Sequence, residues 1–177
     1  MRTMIAISAA AILTLGAIAA RVDSQPAPAN AFDRLKTLVG EWDGTDPAGK
    51  HVEDTIRLVS NNTALEETFQ TDTDNQMVTM YTQDGNRLAL THYCSKGNQP
   101  HLETPAVTAS SNEFVFAFTG AMNLASNDDM HMHGMTLKIE DNDHFSETWT
   151  LMATSKIART KIQEHSPSYL SLGEEAE

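Results

Sequence analysis

The sequence predicts an all-β chain, an antiparallel up-and-down β-barrel of about ten strands with a short N-terminal helix. Three observations carry that expectation. After residue 40, apolar residues recur at every second position, the spacing of a strand with one buried face. Short turn-forming segments separate these runs: Ser60 to Asn62, Gln83 to Asn86 and Asp141 to Asp143. Only one stretch, AFDRLKTLVG from Ala31, gathers its apolar residues Phe32, Leu35, Leu38 and Val39 on one side at helical spacing.

Taken in chain order, the first twenty residues look like an export leader. Arg2 precedes an uncharged, Ala-rich run from Met4 to Ala20, too short and too weakly apolar to favour a membrane span, and Ala17-Ile18-Ala19 offers a small-residue cleavage site. No cysteine follows the run, so a lipid anchor is not expected. Residues 21–30, RVDSQPAPAN, are polar and Pro-containing and read as a disordered lead-in. The folded domain is expected over 31–165. Residues 166–177, ending in SLGEEAE, read as a loose acidic tail. The expected compartment is the periplasm or the exterior.

Within the domain, the strand-like runs are Glu41–Thr45, Val52–Val59, Ala64–Phe69, Met77–Thr82, Arg87–Cys94, Leu102–Val107, Glu113–Phe118, Met130–Glu140, His144–Leu151 and Lys156–Ile162. Asp84-Gly85 is a strong hairpin signal between the fourth and fifth. Sequential antiparallel strands joined by tight turns favour closure, which removes the edges an open sheet exposes. At eight to ten strands a barrel leaves room inside for a ligand.

The composition narrows the partners. A net charge of -12, spread along the chain, repels phosphate backbones and anionic lipid heads. Neither nucleic acid nor membrane insertion of the mature domain is therefore expected. Cys94 is the only cysteine, so no internal disulfide can form and stability must come from packing.

The short helix running into LVGEW, with Gly40 and Trp42, resembles the Gly-x-Trp opening of lipocalins and their calycin relatives. In that family the Trp plugs one barrel end beneath a basic residue from the last strand. The resemblance implies that role for Arg159, with Lys161 as fallback. The stretch from Phe32 to about Ile162, including MYTQDGNRLALTHYCSKGNQP and HMHGMTLKIEDNDHFSETWT, also resembles a group of exported bacterial calycin-like domains of unknown function. The strand count is similar to that of nitrobindin, a haem-binding calycin relative, although no haem-ligand motif matches.

Side-chain alternation identifies candidate pocket residues. In the fifth run Leu88, Leu90, His92 and Cys94 share one face. In the eighth, His131 and His133 extend the row of Met135, Leu137 and Ile139, opposite Met132. In the ninth, Glu147 falls between Phe145 and Trp149. With Asn98 and Gln99 from the following turn, these groups suit a cavity for a small apolar or amphipathic ligand with a polar head.

Two other classes compete with that expectation. His131 and His133, at i and i+2, could share a metal ion, or serve haem, if His92 or Glu147 joined them. His92 beside Cys94 invites a nucleophile reading, and a hydrolase or isomerase could work inside the same cavity. Neighbours on one strand project in parallel, however, and no hydrolase elbow, zinc-protease motif, phosphate loop or dinucleotide fingerprint is present. Ligand binding without a cofactor is therefore the expectation, rather than catalysis.

Overall fold

The computed structural model describes residues 28–70, 74–126 and 128–153, together with the backbone of 156–165. The leader, most of the lead-in, the acidic tail and the side chains of Arg159 and Lys161 lie outside the described residues.

Among the described residues one helix, α1 (Ala31–Leu35), begins at Asn30, whose Oδ1 accepts the Asp33 backbone N–H at 2.8 Å, and continues into a 3-10 turn over Lys36–Leu38. Its buried side, Ala31, Phe32, Leu35 and Leu38, joins the main core. Among the residues described with their side chains, nine strands follow: β1 (Gly40–Thr45), β2 (His51–Val59), β3 (Ala64–Phe69), β4 (Met77–Asp84), β5 (Arg87–Tyr93), β6 (Gln99–Glu103), β7 (Glu113–Met122), β8 (His131–Ile139) and β9 (His144–Ala153). Each pairs antiparallel with the next, in up-and-down order. They form a curled half-barrel whose concave face carries the core.

The turns explain this order. Ser60, Asn61 and Asn62 all have φ between 51° and 65°, a left-handed conformation that Asn tolerates well, and they reverse the chain between β2 and β3. Between β4 and β5, Gly85 has φ of +59° and Asp84 pairs directly with Arg87 in a two-residue loop. Trp42 anchors the helix to the sheet. Its ring is buried, its Nε1 donates to the Leu38 carbonyl at 2.8 Å, and it meets Phe145 edge-on with centroids 4.8 Å apart.

Several boundaries differ from expectation. The sixth strand covers Gln99–Glu103 rather than Leu102–Val107. A tight turn, with Cys94 N–H bonded to Asn98 O and Gly97 N–H to Cys94 O, allows pairing to start at once. Pro105, which lacks an amide hydrogen, follows its end. Cys94 accordingly sits in that turn, one residue past the end of β5. The seventh strand runs four residues beyond Phe118, to Met122, because β6 offers it pairing partners as far as Gln99.

The main departure is in β8. Its register against β9 shifts between Met132 and Gly134: Met132 opposes Leu151 and Gly134 opposes Thr150, leaving His133 as an extra residue. This bulge interrupts strict alternation. His131 and His133 therefore do not simply extend the row of Met135, Leu137 and Ile139.

Candidate functional site

A cavity of about 210 Å³ opens on the concave face, bounded by residues from both ends of the sheet. Phe69, Met77, Met132, Trp149, Val52 and Leu151 give it apolar walls, while Glu67, Thr79, His92 and Glu147 supply polar groups. A cavity of roughly 150 Å³ accommodates benzene, so this one suits a single ring with a short substituent and is too small for a porphyrin.

Alternation in three strands brings the acids together. Val52, Asp54 and Ile56 in β2, Leu65 and Glu67 in β3, and Phe145, Glu147 and Trp149 in β9 are all buried. Asp54, Glu67 and Glu147 are each no more than 3% exposed. Tyr81 joins two of them, its hydroxyl lying 2.6 Å from Glu67 Oε2 and 3.2 Å from Glu147 Oε1. Trp149 Nε1 donates to Glu147 Oε2 at 2.7 Å. Glu67 is also in hydrogen-bonding contact with Asp54, Glu147 and Thr79.

The electrostatics follow from burial. Loss of water raises the Glu67 pKa, only partly opposed by its hydrogen bonds from Tyr81 and its other neighbours. Burial also pushes the Tyr81 hydroxyl well above its usual range, and the Glu147 and Glu67 charges add to that shift. Carboxyls in mutual contact cannot all be ionised, so the cluster retains protons. His92 moves the other way: burial lowers its pKa to about 4, leaving a neutral imidazole near pH 7.

His92 is held but not saturated. Its Nδ1 lies 3.0 Å from Thr79 Oγ1, and its ring packs on Trp149 with centroids 4.7 Å apart. The buried Nε2 has no hydrogen-bond partner. Such an atom carries a desolvation penalty that a ligand could relieve.

The residues singled out from sequence divide into four groups. His92 and Glu147 line the cavity. Leu88 and Leu90 belong to the packed core. Cys94 and Asn98 lie in the turn after β5 and Gln99 opens β6; Asn98 Nδ2 donates to the Met130 carbonyl at 2.8 Å and Gln99 Oε1 accepts from Asn123 Nδ2 at 3.0 Å. His131 and His133 pack with Phe118, while Met132, expected on the opposite face, lines the cavity.

The histidine pair is internally bonded. His131 Nδ1 lies 2.7 Å from the Asp129 carbonyl, which can only accept, so Nδ1 carries the proton. His131 Nε2 then accepts from His133 Nδ1 at 3.0 Å. These two nitrogens share a proton instead of jointly offering lone pairs. Among the described residues, the three-ligand group whose atoms approach within 4.8 Å is Asp43, His51 and Glu53, which includes neither histidine of this pair.

The sequence reading missed Asp54, Glu67, Thr79 and Tyr81. The signal was available: Val52-x-Asp54-x-Ile56 and Leu65-x-Glu67-x-Phe69 each place an acid between apolar residues at strand spacing. The chain matches no protein-family model, and no curated protein is significantly similar to it.

Proposed function

We propose that this chain is an exported binding protein of calycin-like architecture that holds a small, largely apolar ligand by a polar head. The observation that carries the reading is a ring-sized cavity with apolar walls into which two buried carboxyl side chains and an incompletely bonded imidazole are built. Burying the His92 Nε2 without a partner costs stability, so a ligand accounts for it better than packing does. The head-group contacts fall to Glu67, Thr79, His92 and Glu147.

The architectural part of the proposal is a ten-stranded closed barrel. In its support, the backbone of β10 (Lys156–His165) runs antiparallel to β9, from Lys156 opposite Ala153 to His165 opposite His144. Asp43–Thr45 of β1 lies opposite His165–Gln163, where closure would occur. Export is supported by the leader-like first twenty residues.

Native mass spectrometry of the exported chain tests occupancy, with a co-purified small organic molecule as the expected result. Trp149 supplies an independent test, because the sequence contains two tryptophans and Trp149 lines the cavity. In a Trp42→Phe variant, a ring-sized neutral probe such as benzyl alcohol should change the remaining emission saturably. An unchanged emission with no ligand detected by mass would reject the reading.

A further inference from the structure

Resting on that binding reading, we propose that the ligand head is a protonated primary amine on a ring-sized apolar body, the chemical class of a small arylalkylamine. An ammonium group offers three N–H donors and no acceptor. The cavity offers matching acceptors: the carboxyls of Glu67 and Glu147, and His92 Nε2 in the tautomer that donates from Nδ1 to Thr79. The unpartnered, buried His92 Nε2 is independent of the acid cluster and calls for a ligand on its own account. Trp149 and Phe69 also line the cavity, where an aromatic face favours a nearby cation.

The choice of a cation over a neutral head follows from how Glu67 is surrounded. The described groups facing it are Asp54 of β2, Thr79 and Tyr81 of β4 and Glu147 of β9. His92 and Asp46 complete the titratable lining. None of these brings a positive charge near pH 7: Asp46, Asp54, Tyr81 and Glu147 are acids, Thr79 is an uncharged hydroxyl and His92 is neutral. An ammonium therefore replaces protons that the acids otherwise retain, and binding releases a proton to the solvent. A neutral alcohol gives no such exchange.

The test is calorimetry on the full chain with benzylamine and its neutral near-isostere benzyl alcohol, at pH 7, in two buffers of different ionisation enthalpy. Benzylamine should bind about tenfold more tightly than benzyl alcohol, the expected gain from a charge-assisted contact, and should release protons. Its affinity should rise with pH as Glu67 ionises and decline once benzylamine loses its own proton. In Glu67→Gln the preference should collapse while benzyl alcohol still binds. If that variant fails to fold, His92→Gln provides the second measurement, with an expected loss of amine affinity severalfold greater than any loss for the alcohol. Equal binding of the two probes, or a preference that survives both substitutions, overturns the amine assignment and leaves the binding reading standing. Absence of binding by both probes up to about 10 mM overturns the amine assignment and, with no ligand detected by mass, the binding reading as well.

Discussion

The two halves of the concave face use the same alternation for opposite purposes. Around α1, inward positions are filled by Phe32, Leu35, Leu38, Trp42 and Phe145, which pack against one another. Toward the cavity, equivalent positions hold Glu67, Thr79, His92 and Glu147. Apolar burial at the first end stabilises the fold directly. Polar burial at the second does so only when every atom is satisfied, and His92 Nε2 is not. One end thus reports on folding and the other on the proposed binding cavity.

The comparison breaks most sharply at Trp42. Trp42→Ala should cost about 3–5 kcal/mol, since it deletes a buried aromatic together with its bond to Leu38. Chemical denaturation measures this directly. A variant that unfolds at the parent's midpoint would mean that the helix end is not the structural half.

Acid pH should expose the other half. His92 has its pKa lowered from 6.5 to about 4 by burial, so the unfolded chain takes up the proton first as pH falls. The His92 contribution is full above pH 6.5 and is lost between there and about pH 4, a change of about 3 kcal/mol. Glu67 has the opposite sign: its raised pKa favours the folded state at low pH and is penalised as pH rises. Comparing wild type with His92→Gln isolates the histidine. The variant should gain about 3 kcal/mol on wild type between pH 7 and pH 4. Parallel stability curves would show that His92 is not desolvated.

A smaller effect separates the acid cluster from ordinary core. Tyr81→Phe retains the ring but removes the hydroxyl that serves both Glu67 and Glu147, so it should cost about 1–3 kcal/mol. The loss should grow with pH, because ionised carboxylates need that donor more. A neutral effect at pH 8 would indicate that water or a ligand already satisfies the pair.

Much of this division was legible in the chain. Helical spacing from Phe32 to Leu38, followed by Trp42, marked the packed end, and alternation placed His92 and Glu147 inward. The same alternation pointed to Asp54 and Glu67, but an acid between apolar residues on one strand has no visible partner until other strands bring them. The β8 histidines were harder, because period-two reasoning cannot survive an inserted residue. Gly134 was the one local warning: a glycine within a strand often marks a bulge, and here a Cβ would stand 3.4 Å from the Phe116 carbonyl oxygen. Pro105 gave a comparable hint about the end of β6.

That bulge sets up the smallest prediction, which locates the boundary of the cavity. Met132 lines it, whereas His131 and His133 bond to each other beside Phe118. His133 is only partly buried, and its pKa is lowered mainly by what burial it has, with His131 adding to the shift. His133→Ala removes the donor to His131 Nε2 and should cost about 0.5–1 kcal/mol, the value of one hydrogen bond that water can partly replace. It should leave benzylamine and benzyl alcohol affinities unchanged, while His92→Gln weakens amine binding. The two histidines would then be separated by function, although sequence alone makes them look like members of one site. If His133→Ala lowered amine affinity as much as His92→Gln, the ligand would have to reach past Met132 to the histidine pair, and the site would extend across the bulge.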